Sequence, residues 1–216
     1  MKLKYLAILF FIIFNQVQAA SFDCAKAKTP VEKTICGNIE LSNLDEELAG
    51  KYKVAIQEHP LPNYIRSRQR EWLKNNAYCD KSKILVCLID SYKQRIKQLT
   101  DVNQIKVYSS SNKFSFEAGD AVAEVRPEGI YYSIDLWGGA REHREASRQN
   151  GKTTYTICEF KGSFSSPNGG KAVDKTGETF SFNIVGKRLT YEENGGASCP
   201  GFASLPDHMN LIEYKQ

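Results

Sequence analysis

The chain has 216 residues, of which 25% are charged, and its formal net charge is +4. Nucleic-acid-binding proteins usually concentrate many basic residues on one surface, and so small a net charge argues against that class. The six cysteines include no C-x-x-C pair, which argues against a zinc knuckle and against a thioredoxin-type redox site.

Residues 1–20 have the parts of a secretory signal peptide. Two lysines begin the segment, an apolar run covers residues 5–14, and a Val-Gln-Ala sequence at 17–19 suits a signal peptidase. The apolar run is too short for a stable membrane anchor, although a retained anchor is the alternative interpretation. We therefore expect a periplasmic or secreted protein that begins near Ser21 and is not held to a membrane after cleavage.

Export would place all six cysteines in an oxidising compartment, where they pair by default. Proximity along the chain favours three local disulfides, which are Cys24–Cys36, Cys79–Cys87 and Cys158–Cys199. In the chain-entropy model, closing the twelve-residue loop of the first pair would stabilise the fold by about 3 kcal/mol. The even number and the spacing predict disulfides and no metal site.

The first half of the exported chain carries helix signals. Thr29-Pro30-Val31-Glu32 combines an N-cap hydroxyl, a proline at N1 and a glutamate at N3, which predicts a capping box. That helix is expected to end near Gly37, a C′ residue. Ser42, with Asp45 three residues later, is predicted to cap a second helix, and His59-Pro60-Leu61-Pro62 is predicted to end it.

Apolar residues at steps of three and four predict the buried faces of this second helix and of two more. They are Leu44, Leu48, Tyr52, Ala55 and Ile56 in the second helix; Tyr64, Ile65, Trp72 and Leu73 in the third; and Leu85, Leu88, Tyr92, Ile96 and Leu99 in the fourth. Residues 21–100 are therefore predicted to form a small helical domain stapled by two disulfides.

The hydrophobic period changes in the second half. Five segments rich in β-branched and aromatic residues predict strands, and glycine pairs predict turns. The segments are 122–125, 130–137, 153–160, 179–185 and 188–193, and the pairs are Gly138-Gly139, Gly169-Gly170 and Gly195-Gly196. Residues 108–216 are predicted to form a β-rich domain, an antiparallel barrel or sandwich with its own core. The expected fold class is α+β, with a boundary near residues 100–108.

The first half resembles the LprI-like (DUF1311) family of secreted helical domains, which is named after a lysozyme inhibitor. The resemblance covers residues 22–99 and depends on Cys24, Thr29, Glu32, Ile35, Cys36, Leu41, Leu44, Asp45, Leu48, Tyr52, Gln69, Arg70, Trp72, Leu73, Cys79, Cys87, Leu88, Tyr92, Arg95, Ile96 and Leu99. The second half looks like the β-rich extension that follows such domains in some envelope proteins, through the CEF at 158–160 and the CPGFA run from Cys199. The resemblance implies inhibition of lysozyme-type muramidases.

Several of these matching residues also have structural interpretations. Trp72 and Tyr92 are expected to be core anchors, and Asp45 a hydrogen-bond acceptor at a helix terminus. Arg70 and Arg95 could pair with a carboxylate inside the helical domain. The pattern therefore predicts a fold and does not by itself point to a site.

The sequence gives little support to an enzyme. None of the three histidines, His59, His143 and His208, has a serine, cysteine or aspartate at a recognised motif spacing. The adjacent carboxylates of Glu46-Glu47 and Glu192-Glu193 would point apart on a helix or on a strand, so they are poor candidates for a glycosidase pair. We expect no catalytic residues, no cofactor and no metal.

The segment GGAREHREASRQNGK, residues 138–152, is the most unusual polar stretch. A solvated hairpin loop is one interpretation. The other is a presented loop whose Arg141, His143, Arg144 and Arg148 bind a partner, because muramidase clefts are acidic and an arginine inserted there would pair with a carboxylate.

Two functions remain open at this stage. The first is a protein-binding inhibitor of lysozyme or another peptidoglycan hydrolase, or an immunity protein against such an enzyme. The alternative is a non-inhibitory interaction domain of the cell envelope. If the loop is not the binding site, the helical surface around Arg66, Arg68 and Arg70 is the next candidate.

Overall fold

Four helices are followed by an antiparallel sheet, so the predicted α+β class is confirmed. The computed structural model describes residues 20–111, 113–115, 120–141, 155–175, 177, 179–193 and 211–214, and among these it gives no side-chain description for 139–141, 155–158, 193 and 211–214. The helices are α1 (Pro30–Gly37), α2 (Ile39–Glu58), α3 (Pro62–Asn76) and α4 (Ile84–Leu99). The strands are β1 (Lys106–Ser109), β2 (Ala121–Glu128), β3 (Tyr131–Arg141), β4 (Tyr155–Phe164), β5 (Gly169–Val173), β6 (Thr179–Val185), β7 (Arg188–Glu193) and β8 (Leu211–Tyr214).

The first helix begins at the predicted capping box. Thr29 Oγ1 accepts a hydrogen bond from the Glu32 backbone N–H at 3.1 Å, and the Glu32 carboxylate accepts one from the Thr29 N–H at 2.8 Å. The backbone N–H groups of Thr29 and Lys28 both donate to the Glu32 carboxylate and hold the pKa of Glu32 below its ordinary value, because they stabilise the ionised form. Proline at N1 supplies the first helical φ without losing a hydrogen bond.

The N-cap of the second helix lies four residues before Ser42, so the predicted cap was wrong. The N-cap is Asn38, whose Oδ1 accepts from the Leu41 N–H at 2.9 Å. Ser42 lies inside α2 and donates its hydroxyl to the Ile35 carbonyl at 2.6 Å. Because α1 ends at Gly37, the residue next to it can cap the following helix directly, and the chain turns without a loop.

Asp45 is not at a helix terminus either. It lies within α2, 8% exposed, and its carboxylate accepts from the Tyr92 hydroxyl at 2.9 Å and from the Ser21 N–H at 2.8 Å. Burial and the Asp45 carboxylate raise the pKa of Tyr92, so this phenol stays a donor. Asp45 therefore connects α2 to α4 and to the beginning of the described chain.

Two of the three predicted disulfides are confirmed. Cys24–Cys36 and Cys79–Cys87 are bonded, with Cα–Cα distances of 5.7 and 5.9 Å. No free cysteine occurs among the cysteines whose side chains the structure describes. The predicted Cys158–Cys199 bond lies outside the described side chains and stays a prediction.

The strands form one eight-stranded antiparallel sheet in the order β4-β3-β2-β1-β8-β7-β6-β5. Gly138 and Gly139 were predicted to form a turn but lie inside β3, opposite Cys158 and Ile157 of β4. Gly169 and Gly170 were also predicted to form a turn, but they are the first two residues of β5. Gly169 has a φ of +97°, and a Cβ there would collide with the Phe182 carbonyl oxygen. Only glycine fits that position.

The sheet folds over itself so that one face forms a core. The rings of Phe160 in β4 and Phe180 in β6 are 4.4 Å apart, although these strands are far apart in the strand order. No hydrogen-bonded ladder joins β4 to β5 among the described residues, so the sheet is not closed into a barrel.

The other face of the sheet packs against the helices. Val107, Val122 and Trp137 belong to the same buried cluster as the apolar residues of the four helices. Leu73 was predicted to lie on the buried face of the third helix, but it is 56% exposed. The packing thus continues across the boundary near residues 100–108. Within the described part of the chain, no helix combines the length and apolar character needed to span a bilayer.

Candidate functional site

The most polar buried region lies between the helices and the sheet. Side chains alternate along a strand, so the residues next to the apolar ones of the sheet core face the helices. In β2, Val125 belongs to the core of the sheet while Glu124 is directed to the other face. The charged residues on this helix-facing side are Glu124, Arg126, Asp135, Glu159 and Lys161.

Arg68 of α3 meets two of these carboxylates. Its Nη2 lies 3.1 Å from Asp135 Oδ2 and also contacts Glu159 Oε1, and its guanidinium lies 5.3 Å above the ring of Trp137. Burial opposes the charge of Arg68, but the attractions of Asp135, Tyr64 and Glu159 together outweigh burial, so the pKa of Arg68 is raised. Lys161 lies 3.0 Å from Glu159 and completes the network. Arg68 is therefore neutralised inside the protein.

This position of Arg68 changes the alternative binding surface. Arg66 and Arg70 are exposed, and they hydrogen-bond to Asn63 and Ser67 within α3. Arg68 has only a tenth of its side chain exposed. The three arginines do not form one surface.

A second network contains His59, which sequence reasoning left without a partner. His59 is 2% exposed; its Nδ1 accepts from the Leu61 N–H at 3.0 Å, so its Nε2 carries the proton that it donates to Glu124 Oε1 at 3.2 Å. Arg126 contacts Glu124 at 3.3 Å and donates to the carbonyls of Gln98 and Thr100 at the end of α4.

Glu124 stays ionised in this network. Burial raises its pKa, but the hydrogen bond from His59 and the charge of Arg126 outweigh burial and lower the pKa to about 2. The network connects the α2–α3 turn, β2 and the end of α4. Its hydrogen bonds hold these three elements relative to one another.

Arg95 of α4 is the buried charge that has no counter-ion. It is 3% exposed, its Nε donates to Gln69 Oε1 and its Nη1 to Gln98 Oε1, each at 3.0 Å. Its Nη2 has no hydrogen-bond partner, and no described carboxylate forms an ion pair with it. The prediction that Arg95 pairs with a carboxylate in the helical half was therefore wrong. Burial and the nearby charge of Arg68 lower the pKa of Arg95 to about 10.

Arg95 lines a cavity of about 430 Å³, which we call the α3–α4 cavity. Its other lining residues are Arg68, Glu71, Trp72, Asn75, Ser91, Gln94, Gln98, Trp137, Glu159 and Lys161. A neighbouring cavity of about 440 Å³ shares Gln94, Gln98 and Lys161 with it. Both volumes are in the range of small-ligand pockets.

The walls of the α3–α4 cavity are held in place by neighbouring groups. Trp72 Nε1 donates to Ser91 Oγ at 2.9 Å, and Ser91 Oγ donates to Asn76 Oδ1 at 2.6 Å. The Trp72 ring also meets Tyr92 edge-on, with centroids 4.8 Å apart. Such a wall needs no rearrangement before a ligand binds, which favours binding.

The binding residues predicted from sequence lie at the end of the β3–β4 hairpin. Arg141 is the last residue of β3 and its backbone pairs with Tyr155, but its side chain is not described. His143, Arg144 and Arg148 lie outside the described residues. Their role in binding stays a prediction. The segment beginning at Gly138 is shorter as a loop than predicted, because its first four residues belong to β3.

Sequence reasoning missed both buried networks, although one signal was present. Glu124 interrupts an apolar strand segment, and a buried carboxylate needs a partner. Which residue would supply that partner depends on contacts between residues 65 positions apart. Among the described residues, no group of histidine, cysteine and acidic side chains could hold a metal ion.

Comparisons with family models, with curated proteins and with solved structures found no match in any of the three. The resemblance to LprI-like domains therefore stays an expectation from the sequence, and the proposals below depend on the geometry and the chemistry of the residues.

Proposed function

We propose that the protein is an extracytoplasmic protein-binding module that inhibits a peptidoglycan-cleaving enzyme or gives immunity against one. The observation that carries this proposal is the β3–β4 hairpin. Its strands have 11 and 10 residues, the longest pairing among the described strands, and the chain leaves it at Arg141 and returns at Tyr155. The polar segment with His143, Arg144 and Arg148 connects these two positions.

The base of this hairpin is firmly anchored. Leu136, Trp137 and Phe160 are all at most 1% exposed, and Trp137 packs edge-on against Tyr64 of α3. The two strands thus hold the ends of the connecting segment in fixed, neighbouring positions. The arginine and histidine residues of that segment have the charge and the hydrogen-bonding groups to bind carboxylates of an acidic catalytic cleft.

Location outside the cytoplasm is part of the proposal. The two disulfides support it, because such bonds persist in oxidising compartments. The sandwich form predicted for the sheet is also proposed here. It is supported by the Phe160–Phe180 contact and by the approach of β4 to β5, where a Cβ on Gly162 would lie 3.0 Å from the Cβ of Ala172.

The proposal predicts stoichiometric inhibition that depends on the hairpin arginines. Residues 21–216 are titrated against a panel of lysozymes and the hydrolases of the source organism, and then Arg141→Ala, His143→Ala, Arg144→Ala and Arg148→Ala are compared. Truncating one partner of a buried charge pair costs about 2–5 kcal/mol, so at least one variant should lose about tenfold or more in affinity. Arg188→Ala, at an exposed arginine of β7, is the matched control and should have no effect.

Inhibition that saturates at one equivalent and is weakened by one hairpin variant would support the proposal. Binding to no hydrolase would contradict it and favour the non-inhibitory interaction domain. One observation favours that second function: Tyr78 and Val86, 76% and 64% exposed, directly precede the two cysteines of the Cys79–Cys87 bond. Apolar side chains held at a stapled turn suit a docking contact.

A further inference from the structure

We infer that the α3–α4 cavity is a binding site for a small zwitterion of dipeptide size, whose carboxylate pairs with Arg95. This inference goes beyond the proposed function: the cavity shares Trp137, Glu159 and Lys161 with the β3–β4 hairpin, but the inference depends on none of the four hairpin residues tested above. The two cavities described above lie side by side, but Arg95 lines only the one bounded by α3 and α4. The argument begins with this buried guanidinium.

No described carboxylate forms an ion pair with Arg95, although Glu124 and Asp135 attract its charge more weakly than burial and Arg68 oppose it. Gln69 and Gln98 accept two of its hydrogen bonds and orient it, but neutral amides cannot balance its charge. A buried charge without a counter-ion is costly, whereas Arg68 beside it has two carboxylates. An arginine that is oriented, buried and one donor short is arranged to receive an anion.

The rest of the cavity selects the kind of anion. Arg68 and Lys161 line the same cavity as Glu71 and Glu159, but Glu159 is already paired with both of these cations. Glu71 has only a 3.9 Å contact with the exposed Lys74, so its carboxylate can attract an ammonium group on the ligand. A molecule with one carboxylate and one ammonium therefore matches the charges better than a simple anion does.

The remaining walls match the body of such a molecule. Trp72 and Trp137 supply apolar surface, while Asn75, Gln94 and Gln98 supply amide groups that can pair with a peptide bond. A cavity of about 430 Å³ is at the small end of ligand pockets and suits a ligand of two amino-acid residues. The chemical class is thus an amino acid or short peptide with free termini.

The two tryptophans give a direct measurement. They are the only two in the chain and both line this cavity, so the intrinsic fluorescence of the intact protein reports on its occupancy. We would titrate residues 21–216 with alanyl-alanine, with its C-terminal amide, with its N-acetyl form and with inorganic phosphate. Saturable change with alanyl-alanine, and at least about tenfold weaker binding of the amide, is expected because a hydrogen bond to a charged group is lost.

Variants distinguish a loss of ligand binding at this cavity from a general loss of folding. Arg95→Gln should abolish binding, but a buried substitution can also disturb folding. Gln94 lines the cavity and is exposed, so Gln94→Glu should weaken binding of the ligand carboxylate while the fold is kept. Gln57→Glu on the exposed surface of α2 adds the same charge elsewhere and is the matched control.

Several results would overturn the inference. They are equal binding of the dipeptide and its amide, phosphate binding as tight as dipeptide binding, and a fluorescence change that Gln94→Glu and Gln57→Glu affect alike. Absence of any saturable change would overturn it as well. Hydrolase inhibition is measured separately and does not use these ligands, so failure of the hairpin proposal leaves this test intact.

Discussion

The carboxylate of Glu124 lies in a strand whose neighbours Val122, Ala123 and Val125 are all buried apolar residues. Side chains alternate between the two faces of β2, which explains how a carboxylate can lie among apolar neighbours. Ala123 and Val125 face the core of the sheet, while Glu124 faces the helices. A carboxylate there is stable only with its hydrogen bond from His59 and the charge of Arg126.

Glu124→Gln is therefore predicted to destabilise the protein in a pH-dependent way. The folded-state pKa of about 2 is below the ordinary value of 4.5, so the ionised carboxylate stabilises the fold above pH 4.5. This contribution is lost as the pH falls from 4.5 through 2. The variant should lose about 3–5 kcal/mol in free energy of unfolding at pH 7, and the difference should shrink over that acidic window.

Urea unfolding at pH 7, 4 and 3 measures this effect. Glu128→Gln is the control, because Glu128 belongs to the same strand but its side chain is 45% exposed and its pairing with Lys97 is at the surface. A constant difference between wild type and Glu124→Gln at all three pH values would show that the charge of Glu124 is not what stabilises the fold.

At the scale of elements, the helices were predictable and some strands were not. Local signals define the helices: the capping box at Thr29, the proline at the start of α3 and the apolar spacing of α4. The missed strands β1, β5 and β8 have only four or five residues each. Two of them pair across half the chain, Val107 with Tyr214, so no local pattern marks them.

The candidate site was unpredictable for a related reason. Period-2 alternation tells which residues share a face, but it does not tell which helix covers that face. Arg68 meets Asp135 across 67 positions of sequence. Arg95 was singled out from the sequence, yet its lack of a counter-ion emerges only when α3, α4 and the sheet are packed together.

The third disulfide is the untested prediction at this scale. Cys158 lies in β4 with its backbone opposite Gly138, and the local pairing that holds for the first four cysteines favours its bonding to Cys199. Mass spectrometry of a non-reduced digest of residues 21–216 should show three linked peptide pairs and no free thiol. A Cys158 thiol that reacts with an alkylating reagent in the native protein would contradict the prediction.

At the scale of the molecule, the helices and the sheet depend on each other. Trp137 of β3 packs edge-on against Tyr64 of α3, and Arg68 and His59 of the helical half have their carboxylate partners in the sheet. Separating the halves would leave those side chains without counter-ions or expose them to water. The boundary near residues 100–108 divides the elements of the chain without dividing this interface.

We therefore predict that neither half reaches the stability of the whole chain. Residues 21–100 and 101–216 are expressed separately in an oxidising host and unfolded in urea, with far-UV circular dichroism as the signal. The isolated helical half should keep helical signal through its two disulfides, but it should unfold at lower urea and with a smaller m-value than residues 21–216, because it buries less surface. The intact chain should unfold in one transition.

Two independent transitions in the intact chain, each reproduced by an isolated half, would instead establish separate cores. Mixing the halves supplies the decisive comparison: if the helix–sheet interface stabilises both, adding the sheet half should shift the helical half to higher urea, whereas a mixture with Arg68→Ala should shift it less.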